Sequence, residues 1–484
     1  MKRPFLLYIF LLIFISLSAQ PKHEIRAVWL TTNYGLDWPA RPIYSQQDVE
    51  EQKKELCSIL DKLKDANFNM VFVQARLRGN VIYSSRIEPY SSFIKRKKVE
   101  DYDPLAYTVE ACHERGLECH AWFVTYPLGS SSKNRNNNYP EKKGFIKKHD
   151  NNLYLDPGNP ETNNYLLSLI TELVSNYDID GLHFDYIRYP ENASKFPDKD
   201  THLKYGNKKD IHAWRRENIN KFVYMAYDKV KEIKPWVQIS SSVIGMYEKI
   251  PGNTQRHWTA YESVYQDPVD WIKKGKHDFI VPMMYYTGNL FFPFIHNWTG
   301  YCQERFIVPG IGIYRMESNE GNWNCTSILD QIDYSRKNQT RGNVYFRTRQ
   351  LLDNKKNILN EIKTNFYSSP AQLPPLIWLD SIPPSPPLQP DAIRQRDRVC
   401  LSWEKHPDCD NEKITFSIYR SEKFPVNTED MNNLVAARIA KNEFSIPIDT
   451  TESGYYYIIT ANDRFHNESE SSFPVYFCTG NFEK

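Results

Sequence analysis

Short apolar segments alternate with longer amphipathic segments along most of the chain. Eight apolar runs cover residues 25–30, 69–74, 117–124, 180–185, 236–242, 278–284, 306–313 and 343–348. Their near-continuous apolar character is typical of strands that are buried on both faces. The pattern therefore predicts eight parallel strands.

The stretches between these runs predict helices. In residues 49–66, 104–116 and 164–177, apolar residues recur every three or four positions with charged residues opposite. Asp103-Pro104 and Asn159-Pro160 are typical helix starts, an N-cap followed by proline. Eight strand–helix units favour an α/β fold of the closed (β/α)8 type, a TIM barrel, over residues 20–367. An open doubly wound sheet is less favoured, because no glycine-rich phosphate loop follows the first strand.

The composition changes after the last helix. Residues 368–390 contain eight prolines, which predicts a stiff extended linker. Short alternating runs at 398–404, 414–422, 442–448 and 454–463 then predict a small all-β sandwich over residues 391–480. Trp403, Tyr419 and the tyrosines of 455–457 resemble the core pattern of fibronectin type III domains. We expect Trp403 in that core and no catalysis in this domain.

The first residues have the pattern of a secretory signal. Met1-Lys2-Arg3 is followed by an apolar run to Leu17 and by Ser18-Ala19, which predicts a cleavable signal peptide over residues 1–19. We therefore expect a secreted or periplasmic protein, with no membrane insertion after cleavage, because no other segment is long and apolar enough.

Charge and cysteine content give little information about the binding partners of the protein. Lys2 and Arg3 supply the net charge of +2, so the mature chain is close to neutral and gives no reason to expect nucleic acid as a partner. The eight cysteines lack paired Cys-x-x-Cys metal spacing. Their disulfide pairing and the oligomeric state stay open.

Polar and aromatic residues cluster where the predicted strands end. In a (β/α)8 barrel the chemistry gathers at the carboxyl ends of the strands. The chain is also rich in aromatic residues, with 32 Tyr, 25 Phe and 11 Trp, and flat aromatic faces can stack on sugar rings. We predict that a glycan substrate contacts Trp29, Gln74, Arg76, His120, Trp122, His183, Arg188, Tyr285, Tyr286, Tyr314 and Arg315.

Asp185 is the predicted catalytic residue. It ends the fourth run, in GLHFDYIRYP, and lies two residues after His183, so both side chains point to the same face. Glycosidic bond cleavage needs one carboxyl group that protonates the departing oxygen and a second that attacks or activates water. Arg188, three residues on, can hold Asp185 ionised. Nucleophile and water-activating base both stay open as its role, and a structural Asp–Arg pair is the alternative.

Two residues are candidates for the second carboxylate. Asp267, in YQDPVDW, equally fits the N-cap of a helix because Pro268 follows it. Glu88, in IEPY, equally fits an ion pair with Arg86 or Arg78.

Weaker carboxylate candidates are Asp37 and Glu248, and the chain has no HExxH or Ser-His-Asp elbow motif. His120, His183 and Asp185 offer metal-ligand chemistry, but hydrogen bonding to sugar hydroxyls is the favoured interpretation, so no metal or cofactor is predicted.

Six segments together resemble the glycosyl-hydrolase-like family 10 across residues 24–365: RAVWLTTNYGLDWP, QARLRGNVIYSSRIEPY, LDPGNP, DGLHFDYIRYP, YQDPVDW and PMMYY. The resemblance implies a (β/α)8 barrel that hydrolyses O-glycosidic bonds of a polysaccharide or cell-wall glycan outside the cytoplasm. It further implies functional positions at Arg26, Gln74, Arg76, Glu88, Asp185 and Asp267. Asn80 departs from the family pattern, which often has Asp there. A catalytically inactive glycan-binding barrel is therefore the alternative function.

Overall fold

The computed structural model describes residues 20–94, 102–130, 144–253, 257–301, 305–410, 413–448 and 454–478. The predicted signal peptide, residues 1–19, lies outside these ranges. Within them, no helix has the length and apolar character needed to cross a membrane. The seven cysteines in these ranges are free thiols.

Eight parallel strands close into a barrel, which confirms the predicted fold. They are β1 (Ile25–Leu30), β2 (Met70–Leu77), β3 (Glu118–Val124), β4 (Gly181–Asp185), β5 (Gln238–Ile244), β6 (Phe279–Met283), β7 (Gly310–Gly312) and β8 (Gly342–Phe346). Each strand pairs in parallel with the next, and β1 also pairs with β8, so the sheet has no open edge. A two-residue strand, Phe306–Ile307, precedes β7 and pairs with β6.

Helices surround the barrel: α1 (Gln46–Asp65), α2 (Pro104–Glu114), α3 (Pro160–Asn176), α4 (Lys199–Tyr205), α5 (Ile211–Ile233), α6 (Ala260–Ser263), α7 (Pro268–Lys273), α8 (Phe292–Tyr301), α9 (Cys325–Lys337), α10 (Thr348–Leu352) and α11 (Ile358–Asn365). Both predicted helix starts are confirmed. The Asp103 carboxylate accepts two backbone N–H groups at the start of α2, and the Asn159 side chain accepts one at the start of α3.

An antiparallel sheet that the sequence pattern did not predict interrupts the connection from β3 to α3. Its three strands are Pro127–Ser130, Ile146–His149 and Asn152–Leu155. A further two-residue strand, Asn80–Val81, folds back on the end of β2. Both insertions lie at the carboxyl ends of the barrel strands, where loops shape the site.

The barrel has a partly polar interior. Apolar side chains such as Ala27, Met70 and Phe72 form a core cluster inside the strands, separate from the larger cluster between strands and helices. His120 also points inward and lies against Gly181 of the neighbouring strand. A Cβ atom at Gly181 would come within 2.1 Å of Nδ1 of His120, so this close approach requires glycine.

The C-terminal part is a β-sandwich of two antiparallel sheets. Its strands are β9 (Leu388–Gln395), β10 (Arg398–Glu404), β11 (Thr415–Ser421), β12 (Leu434–Ile439), β13 (Glu443–Pro447), β14 (Gly454–Asn462) and β15 (Val475–Cys478). The sheet orders are β9-β10-β13 and β12-β11-β14-β15. Trp403 is only 4% exposed and packs on Phe416, as predicted for a core residue.

The first half of the proline-rich segment, which the sequence predicts as a linker, is packed rather than free. The main chain of Gln372 hydrogen-bonds to Lys22 and Glu24 at the start of the barrel. Leu373 and Leu376 are buried. This packing holds the sandwich against the amino ends of the barrel strands.

The contact between barrel and sandwich is built around Glu118, the first residue of β3, which is 2% exposed. Its carboxylate lies 2.6 Å from Nε2 of His466 and 3.3 Å from Nη1 of Arg438, both from the sandwich. The other ring nitrogen of His466 faces the Pro374 carbonyl at 2.9 Å. Both ring nitrogens of His466 therefore face hydrogen-bond acceptors, the Glu118 carboxylate and the Pro374 carbonyl.

Candidate active site

A cavity of about 560 Å³ opens at the carboxyl ends of the barrel strands. Aromatic side chains supply much of its wall, namely Trp29, Trp122, Tyr154, Tyr186, Tyr285, Tyr314 and Phe346. Its charged lining residues are Arg78, Asp185, Arg188, Glu320 and Arg347. The cavity therefore combines flat apolar faces with a few charged groups, as expected of a site for a polar ligand with apolar faces.

Asp185 is held in the cavity wall by two N–H donors. The indole Nε1 of Trp122 donates to Oδ2 at 3.1 Å, and the backbone N–H of Tyr186 donates to Oδ1 at 2.7 Å. Tyr186 has a φ of 49°, a left-handed conformation that bulky residues rarely adopt. This turn brings the backbone N–H onto the carboxylate and leaves the tyrosine ring in the cavity wall.

Burial raises the pKa of the Asp185 carboxyl above its ordinary value. The side chain is only 6% exposed, and removal from water disfavours the charged form. The positive charge of Arg188 and the two N–H donors oppose this effect without cancelling it. Asp185 is thus an acid that keeps its proton to higher pH than an exposed aspartate does.

The aromatic wall is organised around Phe346, the last residue of β8. Its ring stacks on Tyr285 with centroids 5.9 Å apart, and it meets Trp29 and Trp122 edge-on at 6.2 and 6.5 Å. Trp29 lies so close to Gly310 that a Cβ atom there would be 2.6 Å from the indole. The glycine therefore makes room for the tryptophan in the cavity wall.

His183 supports this wall from below. Its Nε2 accepts the indole N–H of Trp29 at 3.1 Å, and Nδ1 lies 2.8 Å from the hydroxyl of Ser240. Burial holds the pKa of His183 well below its ordinary value, so the ring is neutral and can accept this bond. His183 thereby orients Trp29 from inside the barrel.

Seven of the predicted site residues line the cavity together: Trp29, Gln74, Trp122, Asp185, Arg188, Tyr285 and Tyr314. They come from strands β1 to β4 and from the segments that follow β4, β6 and β7. The structure therefore brings together residues that are up to 285 positions apart in the sequence (314 − 29).

The two candidates for a second carboxylate both have structural partners outside the cavity. Glu88 accepts a bidentate ion pair from Arg76, with 2.6 Å between Oε1 and Nη2, and a further bond from the hydroxyl of Tyr165. Asp267 is the N-cap of α7, where it accepts the backbone N–H of Asp270. Neither is among the described residues that line the cavity. In each case the structure favours the non-catalytic alternative, with Arg76 as the partner of Glu88 rather than Arg86 or Arg78.

Four other predicted site residues also lie elsewhere among the described residues. Arg26 is at the amino end of β1, where it pairs with Glu24 at 2.8 Å. His120 bonds to Glu118 inside the barrel at 3.0 Å. Arg315 lies over the ring of Trp323, and Tyr286 packs edge-on against His257. None of the four lines the cavity as the structure describes it.

The cavity is also lined by residues that were not predicted from the sequence, among them Phe346, Arg347, Glu320, Asn152 and Tyr154. Phe346 and Arg347 lie near the end of the eighth apolar run, so the rule of strand ends would have found them. Asn152 and Tyr154 reach the cavity through the unpredicted antiparallel sheet. Glu320 lies in a loop whose sequence carries no periodic signal.

Residues 24–295 match the model of the Glycosyl hydrolase-like 10 family. The glycosyl hydrolase YngK of Bacillus subtilis (strain 168) is 30% identical over 485 residues, which cover 94% of this chain and 94% of YngK. The glycosyl hydrolase DigH of Escherichia coli (strain K12) is 31% identical over 296 residues, 56% of this chain and 67% of DigH. The family resemblance seen in the six sequence segments is thus confirmed.

Among solved structures, the glycoside hydrolase domain of PgaB (BpsB) from Bordetella bronchiseptica has a TM-score of 0.50 at 14% identity. The match covers 70% of this chain and 98% of that domain. At this identity the similarity shows a shared fold. The likeness of the C-terminal sandwich to fibronectin type III domains stays a prediction.

Proposed function

Because the chain belongs to the glycosyl hydrolase-like 10 family, we propose that it hydrolyses O-glycosidic bonds of a polysaccharide or cell-wall glycan outside the cytoplasm. One observation carries the proposal: a buried carboxyl group, Asp185, faces a cavity walled by aromatic rings. The secretory pattern of residues 1–19 supports the location.

The environment of Asp185 supports the role of proton donor. The sequence left nucleophile and water-activating base open, but both of those roles require an ionised carboxylate. Burial raises the pKa of Asp185, so a larger fraction of the enzyme carries the proton that a departing sugar oxygen needs. In this mechanism Asp185 protonates the glycosidic oxygen while a second group supplies the nucleophile.

The charged lining supports an acidic glycan as substrate. Three guanidinium groups, those of Arg78, Arg188 and Arg347, line the cavity with only two carboxyl groups. Nη1 of Arg188 is buried and makes no hydrogen bond to the residues that the structure describes, whereas Nε of Arg347 lies 3.6 Å from the Asp37 carboxylate. A buried guanidinium donor without an acceptor favours a ligand that brings its own carboxylates.

The proposed function is tested by incubating the purified protein with cell-wall glycans, with and without attached peptides, and with plant and host polysaccharides. We expect mass spectrometry to detect fragments one water heavier per bond cleaved, from an acidic glycan first. Reducing the carboxyl groups of that glycan to alcohols should raise KM at least about tenfold, since a charge-assisted hydrogen bond contributes about 1.5–3 kcal/mol. An unchanged KM would contradict the acidic-substrate assignment, and no fragments from any glycan would contradict hydrolysis.

The pH dependence of kcat/KM should report Asp185. If the protonated form is active, activity falls as the pH rises through the elevated pKa of Asp185. The charge of Arg188 lowers that pKa, so Arg188→Gln should move this alkaline limb to higher pH. Arg78→Gln is the matched control, because Arg78 lines the same cavity but does not act on Asp185, and its limb should stay in place. A limb that moves to lower pH in Arg188→Gln would exclude Asp185 as the titrating acid.

A glycan-binding barrel without catalysis is the second candidate function. Asn80 favours it, because its amide donates to the Arg78 carbonyl at 3.0 Å beside the cavity, where the family often has an acid. Retention of a glycan on the immobilised protein, with no fragments after prolonged incubation, is the outcome that distinguishes binding from hydrolysis.

A further inference from the structure

Glu320 lies in the loop between β7 and α9 and brings the second carboxyl group to the cavity wall. Its backbone N–H donates to the Glu317 carbonyl at 3.1 Å, which fixes the turn of the loop. Its side chain is exposed and makes no hydrogen bond or ion pair with the residues that the structure describes. The Glu320 carboxylate is therefore available to a ligand or to water in the cavity.

Asp185 and Glu320 each lie near one of two neighbouring tyrosines, Tyr285 and Tyr314. The charge of Asp185 contributes to raising the pKa of Tyr285, and the charge of Glu320 contributes to raising the pKa of Tyr314, although burial is the larger cause for both. The two rings meet edge-on with centroids 5.6 Å apart. Each carboxyl group thus lies near one ring of this pair, and both carboxyl groups line the same cavity.

Of the other candidate acids, Glu248 is not among the described residues that line the cavity, and three more are already engaged. Glu88 is neutralised by Arg76, and Asp267 caps α7. Asp37 is buried, with one carboxylate oxygen bonded to the N–H of Thr31 and the other to the N–H of Arg349. Removing any of these three from its partners would leave buried donors unsatisfied, which is costly. Glu320 has no such competing role.

We propose that Glu320 is the base that activates the hydrolytic water, in the cavity that it shares with Asp185. This assignment rests on the proposed hydrolase function. The Glu320 carboxylate takes a proton from water while the water oxygen attacks the anomeric carbon. The bond from that carbon to the glycosidic oxygen breaks, and the departing oxygen takes the proton of Asp185. One water is consumed, and Glu320 returns its proton to Asp185 through solvent. Such a single displacement inverts the anomeric configuration.

The test compares Glu320→Gln with Glu317→Gln on whichever glycan the wild-type protein cleaves. Glu317 lies in the same loop but pairs with Lys355 at 2.8 Å and does not line the cavity as described. We expect Glu320→Gln to lower kcat by about 10²- to 10³-fold with little change in KM, since a positioned base contributes about 10²- to 10⁴-fold. Glu317→Gln should keep wild-type kcat. Added azide should partly restore turnover of Glu320→Gln and yield a glycosyl azide, because azide needs no base.

The anomeric configuration of the first product, measured by proton NMR, is the second readout. Inversion by the wild-type protein supports the assignment, whereas retention overturns it. Equal kcat values for Glu320→Gln and Glu317→Gln also overturn it, while leaving the hydrolase function intact. If the wild-type protein cleaves none of the glycans, the proposed function itself fails and this assignment fails with it.

Discussion

Asp185→Asn is expected to lower kcat/KM on the natural glycan by about 10³- to 10⁴-fold, the upper part of the range for a positioned acid. Asparagine keeps the size of the side chain and can still accept the indole N–H of Trp122, so the cavity wall should stay intact. What it lacks is a proton to give to the departing oxygen. The rate should be measured with purified variants whose circular dichroism matches that of the wild-type protein.

The leaving group shows which role Asp185 plays. An aryl glycoside with a strongly acidic phenol needs no protonation, so Asp185→Asn should cleave it within about tenfold of the wild-type rate if Asp185 only donates a proton. An equally large loss on both substrates would instead indicate a nucleophile. Unchanged turnover of the natural glycan would remove Asp185 from the mechanism. Asp61→Asn, an exposed substitution far from the cavity, is the control.

Glu118→Gln is expected to reduce the free energy of unfolding by about 3–5 kcal/mol, the cost of breaking a buried ion pair from one side. The Glu118 carboxylate also accepts bonds from His120 at 3.0 Å and from Gln238 at 2.9 Å. Replacing it with an amide removes the negative charge that faces Arg438 and His466. Urea unfolding followed by tryptophan fluorescence measures the loss.

The stability that the Glu118 contact contributes decreases at acidic pH. Burial opposes ionisation of Glu118, but the charges of His466 and Arg438 and the hydrogen bonds to it hold its pKa well below the ordinary value. The stabilisation is therefore fully present above the pKa of unfolded glutamate and is lost as the pH falls through the folded-state pKa. The difference between Glu118→Gln and the wild-type protein should thus shrink in acid.

A control substitution separates this contact from a general effect of removing charge. Glu114 is exposed at the end of α2 and lies 3.6 Å from Arg115. Glu114→Gln should change the free energy of unfolding by no more than about 0.5 kcal/mol, as is usual for the surface. If Glu118→Gln unfolds at the same urea concentration as this control, the interdomain ion pair contributes nothing to stability.

The barrel was predictable because its signal is repeated along the chain. The chain has eight apolar runs of strand length alternating with amphipathic segments, and this arrangement predicts a (β/α)8 barrel. The same periodicity placed Trp29, Trp122 and Asp185 at strand ends, where the structure has them in one cavity. These residues were identifiable because strand-end position alone decides where their side chains go.

The direction of the Arg76 side chain could not be predicted from its position at the end of a strand. The pairing of β2 with β3 shifts register between Gln74 and Arg76, which breaks the two-residue alternation at the end of the strand. Gln74 consequently lines the cavity, while Arg76 pairs with Glu88. A local irregularity of one residue is invisible in the apolar pattern, although it decides which side chain meets a ligand.

Residues outside the eight strand–helix units were beyond prediction for a different reason. Glu320 reaches the cavity from a loop and Tyr154 from the inserted antiparallel sheet, and the path of the chain in both segments depends on contacts with distant residues. Nothing in the local sequence distinguishes Glu320 from Glu317 three residues earlier, yet only one of them lines the cavity as the structure describes it.

The contact between barrel and sandwich has a consequence for how such proteins can be recombined. The amino ends of the barrel strands present carboxylates, including Glu118 and Asp178, to basic residues of the sandwich, including His466, Lys413 and Arg464. A sandwich grafted from an unrelated protein would leave these carboxylates facing an unmatched surface, with Glu118 buried and unneutralised. The two parts are therefore expected to be inherited as a matched pair, with charges on one side constraining substitutions on the other.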